Sequence, residues 1–137
     1  MRSFNEICRA IGYDRRAAWN NVPKQVTVYL AYKNGECQKF NSRAGAESFS
    51  NLIESNVINR QEIDDYMQNL YDKDREVQNI WMQELRDKYS FLSDVVFEIC
   101  YNAAYDRSHS YGFDEIANSM IGFVDFAQQI TKAISEE

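Results

Sequence analysis

The chain has 137 residues, of which 15 are basic and 21 acidic, for a formal net charge of −6. With 45% hydrophobic and 14% aromatic residues it has the material for a packed core, which excludes a wholly disordered chain. No apolar run approaches the roughly 20 residues of a membrane-spanning helix, and the opening Met-Arg-Ser-Phe-Asn-Glu lacks the apolar stretch of a signal peptide. A cytoplasmic protein without a membrane partner is therefore expected.

This length fits a single domain. Its charge is uneven along the chain: residues 1–46 carry eight basic groups against three acidic ones, and residues 47–137 carry seven against eighteen. The expectation is one domain, 1–137, with a basic helix–helix–hairpin subregion, 1–46, and an acidic helical subregion, 47–137. Such polarity marks an interaction protein. Cys8, Cys37 and Cys100 are isolated and form no CxxC pair, so each is read as a small hydrophobe in a reducing compartment.

Ser3-Phe4-Asn5-Glu6 reads as a capping box, followed by a short helix striped with Phe4, Ile7, Cys8 and Ile11 and ended by Gly12. Asp14 caps a second short helix, Arg15 to Asn21, which Pro23 closes. Residues 26–32 alternate and are rich in β-formers, and Asn34-Gly35 accepts the positive φ of a hairpin turn. A two-residue loop sets Phe40 opposite Tyr29, whereas a three-residue loop with a bulge sets it opposite Val28. The second gives the better apolar face. Ser42 caps a helix with Ala46, Phe49, Leu52 and Ile53 on its stripe. Asn59 to Glu62 reads as another capping box, before Ile63, Tyr66, Met67, Leu70 and Tyr71 at full helical spacing. Asp72-Lys73-Asp74 predicts a break or kink, after which Val77, Ile80, Trp81, Leu85 and Tyr89 resume the stripe. Ser90 caps a helix from Phe91 to about Tyr105 that is apolar on two faces and is expected to be central. The last helix, Asp114 to Ile134, turns Ile116, Met120, Phe123, Val124, Ala127, Ile130 and Ile134 inward. The fold class is α+β and mostly α: two short N-terminal helices, one β-hairpin, then four or five helices packed as a bundle.

No catalytic constellation stands out. The single histidine, His109, lies in a polar loop with no local orienting group or oxyanion site for a Cys100 or serine nucleophile. Asp72 to Glu76 begins like a calcium loop, but Val77 stands where that loop needs glycine and Gln83 where it needs a carboxylate. The glycines form no phosphate-cradling motif, and isolated cysteines with one histidine make a poor metal set. No enzymatic activity, metal or cofactor is expected.

Residues 4–22 resemble a helix-turn-helix. Ile7, Ile11, Tyr13 and Ala18 stand at its apolar positions, Cys8 at its small one, Gly12 at its turn and Asp14 at its cap, while Asn21 departs from it. The resemblance implies a DNA-binding regulator that reads bases with Arg15, Arg16, Trp19 and Asn20 and sets a wing bearing Lys24, Lys33 and Lys39 on phosphates. The hairpin feeding a helix, and the acidic, tyrosine-rich whole, resemble in layout the small accessory proteins of tailed phages, anti-CRISPR inhibitors among them. That resemblance implies a non-enzymatic inhibitor in the host cytoplasm, bound to a host defence or nucleic-acid-handling protein. The candidate surface is a phosphate-mimicking helical face of Glu62, Asp64, Asp65, Asp72, Asp74, Glu76, Glu84 and Asp87. A combined reading joins an N-terminal DNA reader to a C-terminal dimerisation or effector part, and so includes a homodimer.

Overall fold

The computed structural model describes residues 1–108 and 112–135. Among these the architecture is α+β, with six helices and a three-stranded antiparallel sheet. The chain divides into two compact units that interleave in sequence. Unit 1 is Met1–Asp14 with Lys73–Glu137, and unit 2 is Arg15–Asp72.

Unit 2 holds α2 (Arg15–Asn20), β1 (Thr27–Lys33), β2 (Glu36–Phe40), α3 (Arg43–Phe49) and β3 (Leu52–Val57). It also holds the first part of α4 (Arg60–Lys88). The strand order is β2-β1-β3. Asn34 and Gly35 both take positive φ, 53° and 75°, as a two-residue type I′ turn requires. The register therefore sets Phe40 opposite Tyr29, not Val28. The deciding partner is tertiary: the Phe40 ring packs on Phe49 of α3, centroids 5.8 Å apart. Gly45 leaves room for it, since a Cβ there would meet the ring at 3.3 Å.

The helix expected to run through Ile53 stops at Phe49, and Leu52 and Ile53 belong to β3. Ser50 makes the change of direction. Its hydroxyl donates to the Tyr32 carbonyl and accepts from the Leu52 amide at 3.0 Å. Ile53 then pairs with Ala31, which is fully buried. Asn59 does not close a capping box. Its side-chain oxygen accepts from the Val26 amide at 2.8 Å and its amide donates to the Lys24 carbonyl at 2.7 Å, tying the entry of β1 to the start of α4.

On the other face of the sheet the Tyr32 hydroxyl donates to Glu54 at 3.0 Å. That hydrogen bond, more than desolvation, pushes the Tyr32 pKa up to about 12. A folded-state value above the unfolded one means that the bond is fully present below the ordinary tyrosine range and is lost as pH rises through the folded value. Ultraviolet difference titration of wild type against Tyr32→Phe is expected to assign the latest tyrosinate transition to this residue, and Glu54→Gln is expected to bring it down.

Unit 1 holds α1 (Phe4–Ala10), α4 from Lys73 onward, α5 (Asp94–Ser108) and α6 (Phe113–Ser135). The first capping box forms as expected: Ser3 accepts from the Glu6 amide at 3.1 Å and Glu6 accepts from the Ser3 amide at 3.3 Å. The bond from the Ser3 amide holds the Glu6 carboxyl below its usual range. Gly12, at φ 74°, ends α1, with its amide on the Arg9 carbonyl and the Tyr13 amide on the Cys8 carbonyl. The core is built on Ile7, Trp81, Leu85, Cys100, Met120 and Val124. Phe113 stacks on Phe4 with centroids 5.1 Å apart and takes Trp81 edge-on at 5.0 Å.

No break occurs at Asp72-Lys73-Asp74, and α4 runs unbroken for 29 residues. Asp74 faces inward there, accepting from the Tyr13 hydroxyl at 2.7 Å, so the acid meant to interrupt the helix is part of its buried side. α5 starts at Asp94 with Ser93, not Ser90, at its head, where the Ser93 hydroxyl accepts from the Val96 amide at 3.3 Å. It is not central: Val95 and Ile99 are exposed, as are Ile130 and Ile134 of α6, against the inward stripe that the sequence pattern predicts.

Candidate functional site

The eight carboxylates assigned to α4 fall into three groups. In unit 2 Glu62, Asp65 and Asp72 are exposed and share one flank of α4 by helical period, and in unit 1 the exposed Glu76 and Asp87 share a flank of it. Among the described residues none of these five is ion-paired. Three are oriented by an amide four residues earlier: Gln61 donates to Asp65 at 2.8 Å, Gln68 to Asp72 at 3.0 Å and Gln83 to Asp87 at 2.9 Å. Such pairs stabilise a helix by a few tenths of a kcal/mol and fix the direction of each carboxylate.

Asp64 is exposed but lies on a different flank of α4. Asp74 and Glu84 leave the proposed face altogether. Asp74 is buried beneath Tyr13, and Glu84 is half-buried and ion-paired with Arg2 at 2.9 Å. The sequence pattern placed them outward because acids are usually solvated. The helical period already sets Asp74 on the side of Leu70, Val77 and Trp81.

The basic candidates all belong to unit 2. Arg15, Arg16 and Asn20 are exposed on α2, a helix of six residues. Trp19 turns inward, edge-on to Tyr71 at 5.7 Å, while the Arg15 guanidinium lies 5.7 Å above its ring. Its indole nitrogen is buried with no hydrogen-bond partner among the described residues. Lys24 is exposed. Lys33 and Lys39 come from opposite faces of the hairpin: Lys33 shares the face of Phe40 and lies 5.8 Å over Phe49, and Lys39 pairs with Leu30 on the other face. A wing that presents both lysines to one phosphate strand is therefore not formed by strand geometry alone. α1 and α2, the two helices of the helix-turn-helix resemblance, belong to different compact units.

Charge is redistributed by this arrangement. Unit 2 has seven basic and seven acidic residues, while unit 1 has eight basic and fourteen acidic, so unit 1 carries the whole net charge of −6.

No metal-holding group of three or more His, Cys, Asp or Glu occurs among the described residues. His109 and Tyr111 lie outside them. Burial pushes the Cys100 thiol up, which disfavours the nucleophilic thiolate. No helix among the described residues is long and apolar enough to cross a membrane.

The fold and its surface define a small, mostly helical α+β protein whose acidic long helix is its most distinctive exposed feature. The chain belongs to a family of unknown function, DUF8546, whose model matches residues 20–131. That span takes in all eight carboxylates and leaves Arg15, Arg16 and Trp19 outside. No curated protein and no solved structure matches the chain.

Proposed function

We propose that this chain is a non-enzymatic inhibitor that binds a nucleic-acid-handling protein, a host defence effector in the phage-accessory reading, by laying the exposed acids of α4 into a site built for phosphates. The observation that carries the reading is the acids themselves: Glu62, Asp65, Asp72, Glu76 and Asp87, exposed, without ion pairs among the described residues, and three of them held by glutamine amides. Carboxylates carried along a helix offer a cationic groove anions in place of phosphates, with fast association and steep salt dependence. The test is capture from a bacterial lysate that carries an active defence system, with bound proteins identified by mass spectrometry. Nucleic-acid-binding proteins are expected, lost when Asp65, Asp72, Glu76 and Asp87 are reversed to lysine, and displaced by single-stranded DNA. Capture that survives the reversal overturns the reading.

A second reading is DNA binding by α2. It is favoured by one observation: Trp19 is tucked against Tyr71 while Arg15, Arg16 and Asn20 stay exposed. Its test is a low-salt gel shift on duplex DNA. Absence of a shift, or a shift unaltered in Arg16→Ala, removes it.

A further inference from the structure

α5 and α6 form an antiparallel hairpin inside unit 1. Near their connection the Ser108 and Ser119 hydroxyls share a hydrogen bond, and at the far end Ser93 and Val96 face Ala127 and Thr131 across a groove. α4 lies on one side of this hairpin. From it Arg86 sets its guanidinium 4.8 Å over Phe97 of α5, and Lys88, with Tyr89 just beyond the helix end, lines a cleft with Ile121 and Val124 of α6. By helical period Val95 and Ile99 occupy the flank of α5 opposite Phe97. Phe126 and Ile130 occupy the flank of α6 opposite Ile121, with Ile134 continuing their row. The two rows share the side of the hairpin turned away from α4.

These five side chains are 45–67% exposed, unusual for large apolar residues aligned at helical spacing. We propose that this face binds a second copy of the same chain, giving a symmetric dimer through α5 and α6. Two properties point to a second copy. The first is area. A large apolar side chain presents roughly 100 Å² to water, so the five offer about 500 Å². A specific interface of standard size buries about 800 Å² per partner, and a homodimer interface is about 65% apolar, again close to 500 Å². The second is charge. Between Ser119 and Ser135 the Phe126–Ile130–Ile134 row of α6 carries no ionisable side chain, while on α5 the exposed acids Glu98 and Asp106 flank Val95 and Ile99. Unit 1 holds the entire net charge of −6, so two copies meet with least like-charge repulsion when their uncharged α6 rows lie against each other.

The test is sedimentation velocity of the full chain across the micromolar range, with wild type, Ile99→Lys, Phe126→Lys and Arg75→Lys, a charge-preserving control on α4. Wild type and the control are expected to dimerise. Each lysine on the face is expected to weaken dimerisation by roughly tenfold or more. Because both sites are exposed, circular dichroism is expected to show the fold retained. A wild type that stays monomeric across the range overturns the proposal and leaves a different protein as the occupant. A dimer indifferent to both lysines overturns it as well, by placing the contact elsewhere.

Discussion

Trp81→Ala is expected to destabilise unit 1 by about 3–5 kcal/mol, the cost of deleting a large aromatic from a closed core. Trp81 is fully buried, and its ring meets Phe113, which in turn stacks on Phe4. The indole therefore links α4, α6 and α1, and its removal leaves three elements without their common surface. Domains of this size are stable by about 5–15 kcal/mol, so the loss is a large part of the total. Urea denaturation followed by far-UV circular dichroism measures it, because the fluorescence of Trp19 reports on unit 2. A loss under about 1 kcal/mol would mean that the ring does not hold these elements together.

The second large effect is expected at Ile7. Ile7→Ala should cost about 2–5 kcal/mol. The side chain is fully buried on α1, and Cys8 beside it and Tyr13 after it are buried too. The DUF8546 match begins at residue 20, so α1 precedes it, yet the core of unit 1 is built on this helix. A chain shortened to start at residue 20 is expected to show the same loss or more, read by thermal unfolding. Unchanged unfolding in either variant would mean that α1 is an accessory, not a wall of the core.

The elements that were legible in the sequence are those decided locally. The Ser3–Glu6 box, the Gly12 stop and the Asn34-Gly35 turn each need only their own backbone, and each forms. The long apolar stripe of α4 was equally clear. The departures from the sequence pattern depend on partners distant in the chain. Phe40 took the register with the poorer local apolar face because Phe49 receives it there. Leu52 and Ile53 have helical spacing from Ala46, but β1 offers an open edge and Ser50 turns the chain onto it. Asp72-Lys73-Asp74 looked like a helix breaker, although carboxylates within a helix cost little once one of them is hydrogen-bonded inside, as Asp74 is by Tyr13. The same three residues do mark a real division, since one compact unit ends at Asp72 and the other resumes at Lys73.

The candidate surface was legible as composition but not as geometry. Five of the eight acids stay exposed on shared flanks of α4, and two are drawn into the fold by Tyr13 and Arg2. The basic first third of the chain does not survive as a patch, because Arg2 and Arg9 belong to unit 1 and the six remaining basic groups share unit 2 with seven acids. Apolar positions on α5 and α6 gave no hint of which would be left in water. A helix that is apolar on two faces fits a central position and an intermolecular one equally well.

The interleaving of the units also has a consequence for synthesis. α1 leaves the ribosome ahead of its partners in unit 1, which begin at Lys73. At about 5–20 residues per second, the intervening stretch of about 60 residues keeps α1 waiting for several seconds, and α5 and α6 emerge later still. Throughout that interval Ile7 and Cys8 have no core to enter. Unit 2, contiguous in the chain, has no such delay, and joining the two sequence-separated parts of unit 1 adds the entropy cost of a long loop. The nascent chain is therefore expected to pass through a stage in which the N-terminal helix is a binding site for chaperones before it becomes part of the fold.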